Sequence, residues 1–249
     1  MDFTGIDILA MSDLHIQNNV ARCQSLLNDM NISSKIVIIA GDVFESCYPG
    51  NRYETLATLF PEKTVIFCLG NHEFFYDTIK NVQALYTKTY APALYDVHCL
   101  DIIGHYDIPS TDIRLLGNVF WYDGSMKDNS FQRLEDYAGH RWLDFTIKSF
   151  DFHKEHRICK TKIFDNFDSS KRNVLVTHTV PWKSINLHRS PSEYNAFSGV
   201  NDFLKRNRFY VSLSGHTHRR NVGLMHSSGC KCINTGSLGE FGDFVRITI

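Results

Sequence analysis

Short apolar runs of strand length recur along the chain, each closed by turn-forming residues: Ile6 to Met11, Ile36 to Ala40, Val65 to Leu69, Ile113 to Leu116, Val174 to Thr177, Tyr210 to Ser214, Cys232 to Asn234 and Phe244 to Ile249. Runs that are apolar throughout predict strands buried on both faces. Between several of them apolar residues fall every three or four positions instead, as in Val20, Cys23, Leu27 and Met30, or Ile79, Val82, Leu85 and Tyr86. That period predicts amphipathic helices. Tyr194, Phe197, Val200 and Leu204 form a similar stripe after Pro191 and Ser192, with Ser192 placed to cap its start. Strands alternating with helices give an α/β fold whose sheets are covered by helices. Residues 121–170 are less regular and rich in aromatics, among them Phe131, Tyr137, Trp142, Phe145, Phe150, Phe152, Phe164 and Phe167. They are expected to form a helical, aromatic insert that caps one edge of the domain; the alternative is that they line a substrate cleft.

Composition narrows this picture. With 249 residues, 43% hydrophobic and 21% charged, the chain can bury a sizeable core, which excludes intrinsic disorder, collagen and a small disulfide scaffold. No repeat, low-complexity tract or linker divides it, so residues 1–249 are expected to form one domain. Lys and Arg number 26 against 27 Asp and Glu, a net charge of -1, which leaves no bulk positive charge for a long nucleic-acid backbone. Seven irregularly spaced cysteines point to reduced thiols in a cytoplasm. The chain opens without a basic leader region and no apolar run approaches the ~20 residues of a spanning helix, so a cytoplasmic protein with no membrane partner is expected. Oligomeric state is not written in any of these features.

The chemistry is concentrated just after the strands. Asp13 and His15 follow the first, Asp42 the second, Asn71 and His72 the third, His178 the run from Val174 to Thr177, and His216 and His218 the run from Tyr210 to Ser214. Ligands in open α/β sheets bind beyond the carboxyl ends of strands, so these side chains can converge despite their distance in sequence. In Asp13-Leu14-His15, residues two apart in an extended segment face the same side, and His216-Thr217-His218 repeats the spacing. Gly41, Gly70 and Gly215 each precede a potential ligand, where glycine permits a tight turn. Asp13, His15, Asp42, Asn71, His178, His216 and His218 are too many donors for one tetrahedral ion and suit two ions sharing the Asp42 carboxylate and a water. Oxygen and imidazole donors without thiolate suit manganese, iron, zinc or nickel better than Cu(I) or an iron-sulfur cluster, and manganese is the first expectation. Two divalent cations exceed the charge of Asp13 and Asp42, so an anion such as phosphate should be drawn in.

Asp13-Leu14-His15, Gly41-Asp42, Gly70-Asn71-His72-Glu73, Thr177-His178 and Gly215-His216-Thr217-His218, in that order, resemble the five motifs of the calcineurin-like metallophosphoesterase superfamily. The resemblance spans residues 13–218, with Asn234-Thr235-Gly236-Ser237 as a closing segment. It implies a four-layer α-β-β-α sandwich of two mixed sheets flanked by helices. It also implies that one ion takes Asp13, His15, Asp42 and His218 and the other Asp42, Asn71, His178 and His216. The activity implied is hydrolysis of phosphate esters by a hydroxide bridging the two metals. His72, next to the ligand Asn71, is the candidate to protonate the leaving oxygen. In the phosphoprotein phosphatases of the superfamily an acid three positions after the bridging Asp orients that histidine, and here the position is Glu45. Those phosphatases continue with Arg-Gly where this chain has Ser46-Cys47, which sets it apart from that branch. A small phosphorylated substrate is expected. A phosphodiesterase acting on cyclic nucleotides, dinucleotides or nucleic-acid ends is the alternative, and a metal-binding scaffold without catalysis is the reading from another class.

Other features have plainer readings. His153 and His156 are expected on a solvated helix face, Cys230 and Cys232 as packed thiols, and Phe74, Phe75 and Tyr76 in the core rather than stacked on a base. Arg219, Arg220, Lys183, His188 and Arg189 are close enough to the motifs to hold a substrate phosphate, although solvated charge is their ordinary role.

Overall fold

The structure, a computed structural model, describes residues 5–17, 20–30, 32–126, 143–183, 197, 199–200, 203, 209–225 and 228–249. Its strands are β1 (Asp7–Met11), β2 (Ile36–Ala40), β3 (Thr64–Cys68), β4 (Val97–Cys99), β5 (His105–Asp107), β6 (Ile113–Asn118), β7 (Arg172–Thr177), β8 (Val211–Ser214), β9 (Asn221–Met225), β10 (Cys230–Asn234) and β11 (Val245–Thr248). They form one sheet in the order β11-β1-β2-β3-β4 and a second in the order β5-β6-β7-β8-β10-β9. Both are mixed. β1 to β4 run parallel with β11 antiparallel beside β1, and β6, β7, β8 and β10 run parallel between the antiparallel edges β5 and β9.

Alternate residues of the central strands serve two different cores, as a period of two requires. Ile8, Ala10, Ile38, Ala40, Ile66, Cys68, Leu115, Val174, Val176 and Leu213 fill the space between the sheets. Leu9, Met11, Val37, Ile39, Val65 and Phe67 turn the other way, toward the helices α1 (Val20–Asp29), α2 (Arg52–Leu59) and α3 (Ile79–Thr89), and pack on Cys23, Leu27, Tyr53, Leu56, Val82 and Tyr86. The short α4 (Leu100–Ile103) carries the chain from one sheet to the other. α5 (Phe152–Asp165) packs on β6, and α6 (Leu238–Phe241) precedes β11. This is the expected sandwich of two mixed sheets between helices. A one-residue slip in any central strand would exchange its two core faces, so register is firmly set.

β4, β5 and β9, which sequence pattern does not reveal, all lie at sheet edges. An edge strand need not be apolar throughout, and β9 leaves Val222 and Leu224 more than half exposed. Within residues 121–170 the described part of the expected insert contributes α5, whose Phe152, His156, Cys159 and Ile163 are buried. Phe131, Tyr137 and Trp142 lie outside the described residues, as do Ser192, Tyr194 and Leu204 of the expected helix. His156 corrects its sequence reading: it is buried, and its Nδ1 donates to the Trp121 carbonyl at 2.7 Å, while His153 is exposed. Cys230 and Cys232 are fully buried thiols, as expected.

Candidate metal centre

The loops that leave β1, β2, β3, β7 and β8 bring the predicted residues to one place. Three groups of side chains offer ligand atoms within 4.8 Å of one another: Asp13, His15, Asp42 and His218; Asp42, His178 and His216; and His15, Glu45 and His72. Asp42 belongs to the first two. Its Oδ2 lies 3.2 Å from His178 Nε2 and 3.9 Å from His15 Nε2. His218 Nε2 lies 3.3 Å from Asp13 Oδ1, and Asn71 Oδ1 lies 2.9 Å from His178 Nε2. All seven expected ligands are therefore neighbours, with Asp42 in the middle.

The backbone that achieves this is not the extended one the spacing suggests. Asp13, His15, Asp42, His216 and His218 all have left-handed φ, between 48° and 68°. Left-handed residues turn the chain back so sharply that Leu14 and Thr217 are buried while their neighbours face the centre. The glycines also divide in function. Gly41 has φ 82°, and a Cβ there would meet the His178 ring at 2.4 Å. Gly70 and Gly215 are needed for closeness alone: a Cβ on Gly70 would stand 2.0 Å from Asp42 Oδ1, and one on Gly215 2.5 Å from Ser12 Oγ.

Each histidine has one nitrogen already engaged. His178 Nδ1 donates to the Ala40 carbonyl at 2.9 Å, and His216 Nε2 donates to the Phe197 carbonyl at 3.0 Å. His218 Nδ1 is held by Glu240 at 2.8 Å and His15 Nδ1 by Glu45 at 3.0 Å. The opposite nitrogens are thus left facing the carboxylates, the arrangement by which metal-binding imidazoles are oriented. Glu45 meets its expected partner, receiving His72 Nδ1 at 3.0 and 3.1 Å, and its contact with His15 goes beyond that expectation. His72 Nε2 then stands 3.7 Å from Asp42 Oδ2, and its backbone N–H donates to Asp42 Oδ1.

Electrostatics favour a cation here. Burial would raise the Asp42 carboxyl, yet the His178, His72 and His15 imidazoles hold it well below the ordinary range. Burial likewise opposes charge on His178, but Asp42 and Asp13 outweigh it and raise this histidine to about 10. The same contest lifts His72 to about 9, through Asp42 and Glu45, and His218 to about 9, through Asp13 and Glu240. Glu45 goes to about 2, burial being overcome by His15 and His72. The carboxylates stay ionised and attract protons onto the surrounding imidazoles, so positive charge is what this pocket takes up. Hard oxygen donors, oriented imidazoles and ionised buried carboxylates fit a pair of divalent cations.

A cavity of about 240 Å³ lies over the centre, lined by Asp42, Asn71, His72, Phe75, Leu143, Asp144, His216 and His218. Sequence reasoning missed Asp144, Glu240 and Phe197. Asp144 is buried in the helical turn Leu143–Thr146, accepts Asn71 Nδ2 at 2.8 Å and also takes the Tyr122 hydroxyl. Glu240 had a signal: Ser237 caps the backbone N–H of Glu240, a Ser-X-X-Glu box whose carboxylate here serves His218 instead. A backbone acceptor such as Phe197 leaves no mark on sequence. The segment 237–239 also braces the first loop, through Leu238 N to Ser12 O, Gly239 N to Asp13 O and Ser237 Oγ to Asp13 O. Of the cations near the motifs, Arg219, Arg220 and Lys183 are exposed; His188 and Arg189 lie outside the described residues.

A two-sheet sandwich with a histidine and carboxylate centre at its strand ends defines a metallophosphoesterase architecture. Residues 6–220 match the family model described as calcineurin-like phosphoesterase, and the chain belongs to that family. No curated protein matches it. Among solved structures it is similar to phosphopantetheinyl hydrolase of Mycobacterium tuberculosis, with a TM-score of 0.67 at 16% identity over 94% of this chain and 90% of that one. It is also similar to a dimetal phosphatase of Danio rerio, with a TM-score of 0.55 at 14% identity over 98% and 92%. A putative 5'-nucleotidase of Staphylococcus aureus gives a TM-score of 0.54 at 14% identity, over 98% of this chain and 53% of that one. These likenesses concern the fold. No described helix is long and apolar enough to cross a membrane.

Proposed function

We propose that the chain hydrolyses phosphate esters at two divalent cations, one held by Asp13, His15, Asp42 and His218 and the other by Asp42, Asn71, His178 and His216. Manganese is the first expectation, with iron, zinc or nickel as alternatives. The observation that carries this reading is the position of Asp42, fully buried and common to the two ligand groups. Bound there, the cations would supply Lewis acidity that makes water acidic near neutral pH and offsets charge on phosphoryl oxygens.

The chain's own residues supply the rest. His72 carries the proton for the leaving oxygen: Glu45 fixes its Nδ1, and its Nε2 faces Asp42 in the cavity. Asp144 orients the Asn71 carboxamide so that its oxygen, not its nitrogen, faces the centre. Residues 1–249 act as one catalytic domain whose 121–170 insert contributes Leu143 and Asp144 to the cavity wall. The small cavity supports a small phosphorylated molecule as substrate, and seven free thiols, six of them buried, suit a cytoplasmic setting.

The test combines metal analysis with turnover. Manganese-loaded protein should cleave an activated aryl phosphate, and His72→Ala should keep both metals while slowing turnover on the order of 10²-fold or more. Asp42→Ala should lose metal and activity together. Fewer than one tightly bound ion per wild-type chain would restore the scaffold reading. Faster cleavage of an aryl diester than of the monoester would assign the phosphodiesterase reading, including action at nucleic-acid ends.

A further inference from the structure

A second cavity, about 570 Å³, opens on the other side of Phe75, which lines both. Arg52 lines it while being only 7% exposed. Among the described residues its guanidinium makes one long hydrogen bond, Nη2 to the Ser46 carbonyl at 3.4 Å, and its Nε finds no acceptor. Among the described residues no carboxylate pairs with it. The rings of Phe44, Tyr48 and Tyr86, 5.3 to 5.9 Å away, ease the burial of the charge, but rings accept no strong hydrogen bond. A cation removed from water in this way destabilises the fold until an anion reaches it.

The carboxylates nearby are already engaged. Glu73 accepts the backbone N–H groups of Val43, Phe44 and Gly70, and Asp77 accepts from Thr78 N and Asn81 Nδ2. Lys148, exposed at the rim, is a second cation, close enough to Asp77 to help Asn81 and Thr78 hold that carboxyl below its ordinary range. A row of rings leads here from the metal centre: His72 to Phe75 is 4.5 Å between centroids and Phe75 to Tyr76 is 6.5 Å. Tyr76 departs from its expected core position. It is 62% exposed and held at φ 65°, a strained conformation for an aromatic residue that presents the ring at the cavity mouth.

We propose that this cavity binds the leaving group of the substrate, with a planar segment along Phe75 and Tyr76 and a second anionic group, phosphate or carboxylate, paired with Arg52 and Lys148. The cavity's role as a leaving-group pocket rests on the hydrolase reading; the anion site itself does not. The substrate class is then a phosphate ester that carries another negative charge on its alcohol portion.

Cys47 lines this cavity and is exposed, whereas the other six cysteines are buried, so a thiol reagent reports on it. In manganese-loaded protein, adenosine 3',5'-bisphosphate should slow the reaction of Cys47 with a disulfide reagent by about fivefold or more, while adenosine does not. Adenylosuccinate has no 3'-phosphate and carries two carboxylates on N6 of the base instead, so protection by either compound supports the site and shows which anion, at which end of the nucleoside, it takes. Arg52→Met and Lys148→Ala should each raise the half-protecting concentration, by about tenfold for a lost charge-assisted pair. Lys148 is exposed, so its variant remains informative if the buried Arg52 variant fails to fold. Equal protection by adenosine and both anionic compounds, no protection by any, or unchanged protection in Lys148→Ala and a folded Arg52→Met overturns the proposal. Protection of Cys47 in a chain that hydrolyses no phosphate ester would remove the hydrolase reading alone, and hydrolysis without protection would remove the anion site alone.

Discussion

Five of the seven proposed ligand positions, Asp13, His15, Asp42, His216 and His218, hold left-handed backbone, and none is glycine. A residue with a Cβ loses about 1–2 kcal/mol in that region, so the centre stores strain that the surrounding hydrogen bonds must offset. This can be measured apart from metal binding. His15→Ala and His15→Gly remove the same imidazole, but only glycine relieves the backbone at φ 48°. In chelator-stripped protein the glycine variant should be more stable than the alanine variant by about 1 kcal/mol in denaturant unfolding. Equal stabilities would mean that the conformation is not strained. The motifs themselves were legible because side chains of one chemistry repeat after strand after strand. The left-handed turns were not, since Asp-Leu-His and His-Thr-His read equally well as extended pairs.

Between elements, the centre depends on contacts made by short pieces of chain. The turn Leu143–Thr146 places Asp144 against Asn71, and α6 places Glu240 against His218. Asp144→Ala leaves the Asn71 amide without this acceptor, so metal affinity should fall on the order of 10–100-fold. Competition with a chromophoric chelator would show it, and unchanged affinity would demote Asp144 to packing. Sequence pattern missed β4, β5 and β9 for two reasons: β4 is buried but only three residues long and interrupted by His98, whereas β5 and β9 are partly exposed edge strands with no need of a continuous apolar run. It located the donors but, of the groups that orient them, only Glu45. The Phe197 and Ala40 carbonyls belong to every residue type alike, and Asp144 is 73 positions from its partner.

At the scale of the whole molecule, ionised carboxylates surrounded by imidazoles couple stability to pH. His178, His72 and His218 titrate in the folded protein at about 10, 9 and 9, above the unfolded value of roughly 6.5. Between these limits the native state binds more protons than the unfolded chain. Their stabilising effect is therefore complete below about pH 6.5 and lost as pH rises through 9 to 10. Stripped protein should show a melting temperature that falls from pH 7 to pH 10, while metal-loaded protein should fall less, because cations then replace those protons. Parallel curves would argue against that exchange. The bracing of the first loop has a consequence in time as well as space. Ser237 Oγ reaches the Asp13 carbonyl across 224 positions. During translation the ribosome must add every one of those residues before the loop that leaves β1 gains its brace, so a nascent chain halted earlier exposes Asp13 and His15 without the scaffold of the proposed metal centre.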